Sequence, residues 1–290
     1  SKGNVVTPKP FLEEYSADAV RYWAARARLG TDTVFDPQLF DLGRKLVTKL
    51  FNASRFVISQ LSANLDYKEH WTKENVTVPL DQALLARLRS VVKEATDDFN
   101  KFEYAAALQA VEGDFWNFCD DYVELVKRRS YEAEDSVGRR SAIAALYLAM
   151  RTILRLFAPC LPYVTEEVWS WLFAAETGRE RSIHTSPWPT VAELDVPEPQ
   201  FEDIYGCAVE VLSKIRQAKT KAQKKLRWPV KTLTIKGSAA ALTALDQALS
   251  DVLLAGSAED AEVVKVEAAI ENGEHFEVEV ELAEILPEEA

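Results

Sequence analysis

Between Pro37 and Leu61 the apolar positions recur at helical spacing. Leu39, Leu42, Leu46, Leu50, Ala53, Val57 and Leu61 share one stripe when each residue is turned by about 100°. Lys45, Thr48, Lys49, Asn52 and Phe56 form a second stripe beside it, polar and basic with one aromatic ring. The pattern predicts a helix with a core face and a second, chemically distinct face. Two short helical pieces precede it, Phe11–Tyr15 and Ala17–Arg28, the latter stopped by Gly30. After a polar loop from Tyr67 to Val78, Pro79-Leu80-Asp81 opens a helix through Leu84, Leu85, Leu88, Val91, Val92 and Ala95. A third pattern runs from Phe102 to Lys127, with Phe115, Phe118, Tyr122 and Leu125 as core and Trp116 and Asn117 turned to another face. Ser141–Phe157 and Pro162–Trp169 complete the helical set.

The period then changes. Ser182–Pro199 is rich in proline and reads as a linker or a strapped loop. Phe201–Leu226 is one long helix with an apolar side at Tyr205, Ala208, Leu212 and Ile215. Alternation of period two follows at Val230–Ile235, Glu262–Ala268 and Phe276–Leu282, with an Ala/Leu helix, Ala239–Leu254, after the first. Asn272-Gly273 predicts a hairpin joining the last two strands. The fold expected is mainly α: a helical bundle followed by a small α+β module.

Charge adds a polarity that the pattern does not show. The net charge is −12, which argues against a general nucleic-acid binder. Yet Lys214–Lys231 holds eight basic residues and no acid, whereas from Asp246 on there are fourteen acids and Lys265 alone. RNA responds to the local field within a Debye length of ~8–10 Å, so the basic stretch counts by itself. Three widely spaced cysteines (Cys119, Cys160, Cys207) and three scattered histidines predict buried thiols and no metal centre. No apolar run reaches the roughly 20 residues that span a bilayer. No glycine-rich nucleotide loop and no supported nucleophile–base set occurs, so the residues predict no catalysis by this chain.

Several phrases, in one order, resemble a single family. Ser1-Lys2-Gly3-Asn4-Val5-Val6-Thr7-Pro8 is similar to the end and continuation of the K-M-S-K-S loop of class I aminoacyl-tRNA synthetases. Ser16–Arg21 and Leu29–Asp36 resemble the segments that follow that loop and introduce the anticodon-binding bundle. Lys49-Leu50-Phe51-Asn52-Ala53-Ser54-Arg55-Phe56-Val57 looks like the N-K-L-W-N-A-x-R-F phrase of valyl-tRNA synthetases. Phe115–Lys127 and Ala158–Trp169 resemble two further phrases of that subgroup. The resemblance covers most of residues 1–215 and fades after Leu226. The coiled-coil arm that ends many valyl enzymes has no counterpart in the heptad pattern here.

The resemblance implies the C-terminal anticodon-binding region of a cytoplasmic, monomeric valyl-tRNA synthetase. It implies residues 1–36 as loop end and connecting helices, 37–185 as the bundle, 186–200 as a linker, and 201–290 as a basic helix plus the α+β module. Ser1 and Lys2 would be a remnant of the ATP loop. ATP with magnesium, and the catalytic and editing domains, would belong to the rest of the parent; the region itself needs no cofactor. Valine tRNA would be the partner, met by Lys45, Lys49, Asn52, Arg55 and Phe56 on the first bundle helix. Trp116, Asn117 and Arg128 would join them, with Lys219, Lys224 and Arg227 adding phosphate contacts from the basic stretch. Unstacked anticodon bases expose edges that Asn and Arg can read and faces that aromatic rings can stack. Two other readings stand beside this one: the bundle of an isoleucyl enzyme, and a helical protein-interaction module without RNA.

Overall fold

In the computed structural model, which describes residues 7–32, 35–132, 134–175, 182–201, 203–270 and 273–284, the helical periodicities become helices close to the expected bounds. The chain divides into two compact units. One holds the residues up to Lys73 with Arg87–Trp116 and Leu146–Asp195; the other holds Glu74–Ala86, Asn117–Ala145 and the residues from Val196 on.

The first unit begins with α1 (Pro8–Tyr15) and α2 (Ala17–Ala25), joined through Ser16 at a φ of 90°. The long helix α3 (Gln38–Ser62) packs against α2. Its buried stripe is not quite the one the wheel predicts. Leu46, Leu50, Val57 and Leu61 are buried as expected, but at the start Phe40 and Gly43 replace Leu39 and Leu42, and Leu42 is 44% exposed. The reason is Gly43. A Cβ there would lie 2.9 Å from Tyr22 Cδ1 and 3.1 Å from the Ala19 backbone, so the glycine is what lets α2 lie so close. The helix turns its small residue toward that neighbour, and Leu42 is carried outward. Phe40 stacks on Phe11 (4.8 Å between centroids) and Trp23 (5.5 Å).

The same unit takes most of α4 (Pro79–Asn100), α5 (Tyr104–Asn117), the C-terminal part of α7 (Val137–Phe157) and α8 (Pro162–Trp171). Asp18 of α2 is buried, and its carboxylate accepts from the amides of Tyr163 (3.2 Å) and Val164 (2.7 Å). These are first-turn donors of α8, whose own N-cap residue Leu161 supplies no side-chain bond. The loop around Trp71 forms 3₁₀ turns over Leu65–His70 and Lys73–Asn75, and the Trp71 ring is buried against Tyr147.

The proline-rich segment is packed down. Trp188 Nε1 donates to Thr96 Oγ1 at 2.9 Å, and Ile183 and Leu194 are buried. Glu193 accepts from Arg151 (2.9 Å) and Arg155 (2.6 Å), and from the Thr190 amide (2.9 Å). Through Asp195 the segment is therefore a strap on its own unit.

In the second unit, Phe118–Tyr122 form a π-helical turn that leads into α6 (Val123–Ser130). The widened turn shifts the helical phase and brings Phe118, Cys119, Tyr122 and Val123 all inward. Helix α9 (Ile204–Lys221) buries Ile204, Tyr205, Ala208, Leu212 and Ile215, but it stops five residues short of the expected end at Leu226, because Gln223 takes a left-handed φ of 55°. The expected Ala/Leu helix is two pieces, α10 (Ala239–Asp246) and α11 (Leu249–Ala255). The strands are β1 (Val230–Gly237), β2 (Glu262–Glu267) and β3 (Phe276–Leu282), in the order β2-β1-β3. The predicted hairpin is therefore corrected. β1 lies between β2 and β3, parallel to the first and antiparallel to the second, so the segment at Gly273 does not join paired strands. β1 has a buried register at Val230, Leu233, Ile235 and Gly237, and β2 and β3 cover its two edges.

A buried polar cluster also organises this unit. The Arg129 guanidinium donates from Nη1 and Nη2 to both carboxylate oxygens of Asp81 (2.8 Å each). From Nε and Nη2 it donates to both oxygens of Asp251 (3.0 Å each), and Nη1 also reaches the Gly138 carbonyl. Asp81 further accepts from Tyr122 (2.8 Å) and Ser141 (2.6 Å). The Ser141 hydroxyl oxygen in turn accepts from the amides of Thr77 and Val78. The starts of α4 and α7, the π turn, α6 and α11 thus share one guanidinium.

Candidate nucleic-acid interface

The second stripe of α3 borders an open groove of about 360 Å³ in the first unit, lined by Arg44, Lys45, Thr48, Lys49, Asn52 and Trp116. Helical spacing puts the α3 side chains in one row, and α5 places Trp116 across from them. Lys49 Nζ stands 5.7 Å from the centre of the Trp116 ring. Asn52 and Lys45 are exposed, while Lys49 and Trp116 are half-buried. Four of the expected residues thus come together: Lys45, Lys49, Asn52 and Trp116.

Arg44 and Thr48 line the groove as well. Arg44 pairs with Asp41 at 2.8 Å and lies 5.6 Å over the Tyr15 ring, while Thr48 donates its hydroxyl to the Arg44 carbonyl. Arg44 was missed because it sits one residue off the polar stripe; its place one turn before Thr48 is the signal that could have found it. Arg55 and Phe56 follow on the same helix without lining the groove; Arg55 is exposed and Phe56 half-buried.

The arrangement can do three things. Its cations attract phosphate, its indole offers a face for stacking, and the Asn52 amide has a donor and an acceptor for a base edge. Three charges near an aromatic ring and an amide suit an unstacked nucleotide better than they suit an apolar ligand.

The remaining expected residues lie in the second unit. Asn117 is half-buried and its carbonyl accepts from Tyr205 at 3.0 Å. Arg128 is exposed but forms an ion pair with Glu259. Lys224 and Arg227 are exposed. Lys219 does not face solvent: it is fully buried, its ammonium donating to the Leu226 carbonyl (2.8 Å) and the Gly256 carbonyl (2.5 Å). Burial brings its pKa down to about 8, with Glu259 opposing the fall and Arg216 adding to it. A lysine so committed cannot meet a phosphate, and it leaves the set of contact residues. Ser1 and Lys2 lie outside the described residues. The three cysteines are free and buried, and burial raises the thiols of Cys160 and Cys207 to about 11 and about 12.

A family described as the anticodon-binding domain of tRNA ligase matches residues 81–235. Among named proteins, the Valine--tRNA ligase of Salinispora tropica is 44% identical over 285 residues, covering 93% of this chain and 32% of that one. The Valine--tRNA ligase of Bifidobacterium longum is 37% identical over 315 residues, covering 98% and 33%. The chain thus spans about a third of the length of the curated relatives it matches. Among solved structures, a LeuRS of Agrobacterium radiobacter in ternary complex with tRNA and LeuAMS has a TM-score of 0.46 at 20% identity, over 68% of this chain and 23% of that one.

Proposed function

The chain belongs to the anticodon-binding domain family of tRNA ligases, and from that premise we propose that the groove on α3 receives the anticodon loop of a valine tRNA. The observation that carries this reading is the groove itself: Lys45, Lys49 and Asn52 on one helix face, opposite the Trp116 ring. A stacked base lies on the indole, the lysines hold the flanking phosphates, and the Asn52 amide reads a base edge. The choice of valine tRNA rests on relatives that bear that name and on the phrase Lys49–Val57. In the longer protein, ligation of valine with ATP and magnesium, and editing, belong to domains upstream. Ser1 and Lys2 would close the ATP loop there, and the present chain supplies binding. Such an enzyme works as a monomer in the cytoplasm. No helix among the described residues is long and apolar enough to cross a membrane.

Filter binding tests the proposal. The chain is expected to hold valine tRNA about tenfold more tightly than a copy with an exchanged anticodon. An amide read against a base edge contributes about 1–3 kcal/mol of discrimination, so Asn52→Ala should erase most of the preference while leaving a salt-dependent residue of affinity. Equal binding of the two RNAs by the unaltered chain would sink the anticodon reading.

A further inference from the structure

The basic stretch is not one surface. Lys214 is held by Glu210 (3.2 Å) and Glu274 (2.9 Å), Lys231 by Glu281 (2.7 Å), and Arg216 by the Asp120 carbonyl (3.2 Å). Lys219 is inside. What is left outward is the turn between α9 and β1, where every residue from Lys221 to Arg227 is exposed. We propose that this turn, through Lys221, Lys224 and Lys225, is a second RNA contact that grips phosphates without reading sequence. The proposal rests on the tRNA-binding reading and adds to it a site in the C-terminal module.

The turn is built from inside. Gln223 takes a left-handed φ of 55°, the Lys224 amide donates to the Lys219 carbonyl (2.9 Å), and the Gln223 amide to that of Thr220 (2.9 Å). This pair of bonds closes the helix in a Schellman motif. Below it the buried Lys219 ammonium pins the Leu226 carbonyl, and the Trp228 amide donates to the Lys225 carbonyl (2.9 Å). The Trp228 indole is anchored on the Ala283 carbonyl (2.8 Å), and the Lys224 ammonium lies 3.9 Å from the centre of its ring. Neither Lys221 nor Lys225 makes an ion pair among the described residues. A chain of net charge −12 that keeps such a run free of acids has a local positive field there. Because the backbone is already fixed, only the lysine side chains remain to be ordered when a phosphate arrives.

Measuring affinity for valine tRNA and its anticodon-exchanged copy across a salt series decides the matter. Each phosphate contact contributes roughly 0.7–0.9 to the slope of log affinity against log salt. Replacing Lys221, Lys224 and Lys225 by Ala should therefore flatten the slope by about 2. The affinity gap between unaltered chain and variant should close about tenfold as salt rises from roughly 0.1 to 0.3 M. The loss must be equal for both RNAs. An unchanged slope in the triple variant overturns the proposal and leaves the turn to an acidic protein partner. If instead the unaltered chain fails to separate the two RNAs while the triple variant loses slope, the groove reading fails and the turn stands.

Discussion

Arg129 shows how much can hang on one side chain. Its guanidinium is the only cation among the described groups bonded to Asp81 and Asp251, both buried. Burial raises the pKa of Asp251, and Arg129 opposes that rise. Replacing Arg129 by Met would leave two carboxylates facing each other without water. Breaking a buried pair by removing one partner costs about 3–5 kcal/mol, so Arg129→Met is expected to lower the urea midpoint sharply. Asp251→Asn keeps one accepting oxygen, turns the other into a donor, and leaves the Asp81 pair of Arg129 intact, so it should cost less. Comparable midpoints for the two variants would contradict this account. The residue is invisible to sequence reading, where Arg128-Arg129 is simply a basic pair at a helix end. Nothing in local spacing says that Asp81 and Asp251 lie far along the chain in opposite directions. Lys219 carries the same lesson. Helical spacing put it among the basic residues, and only the neighbouring backbone carbonyls reveal that it faces inward.

Among the elements, the α2–α3 contact and the strap each make a prediction. At Gly43 an added methyl meets Tyr22 and backbone, and overpacking typically costs about 1–3 kcal/mol. The better helix propensity of Ala returns about 1 kcal/mol at most. Gly43→Ala should therefore melt lower than the parent, and a higher melting temperature would refute the close approach. In the strap, burial alone would raise the Glu193 pKa. The hydrogen bonds of Arg155 and the Thr190 amide, and the charges of Arg155 and Arg151, outweigh it and hold it below the usual glutamate value. The folded-state pKa is depressed, so the stabilisation is present above the unfolded value near 4.5 and is lost as pH falls through the folded one. Glu193→Gln should flatten the loss of melting temperature on acidification below that value. A pH profile identical to that of the parent would show that the strap is held otherwise. These elements were largely legible: helices were placed by their period, and the α3 stripe was right at Leu46, Leu50, Val57 and Leu61, with Ser54 buried in place of the half-buried Ala53. The error at Leu39 and Leu42 came from treating the helix as if it had one average neighbour. The hairpin error came from reading a turn dipeptide without the topology around it. Pairing partners are chosen by long-range packing, and β1 has the apolar register that two flanking strands can cover.

For the molecule as a whole, the groove was legible because it is made mostly by one helix. Lys45, Lys49 and Asn52 reach it by spacing alone, whereas Trp116 needed the resemblance and the packing of α5 to bring it opposite. The charge run was legible in total and misleading in detail, since half of its cations are engaged by partners distant in sequence. The β2-β1-β3 sheet has one more consequence. Three strands in an open sheet leave two lateral rows of backbone groups, one on β2 and one on β3, that another chain could extend. β3 carries Glu277, Glu279 and Glu281 as exposed alternate residues, so two such borders brought side by side repel. β2 is less guarded, with Val264 and Val266 exposed on either side of Lys265. In concentrated solution the β2 border is therefore where strand addition and clumping would start, and high salt, by screening the surrounding acids, would hasten it.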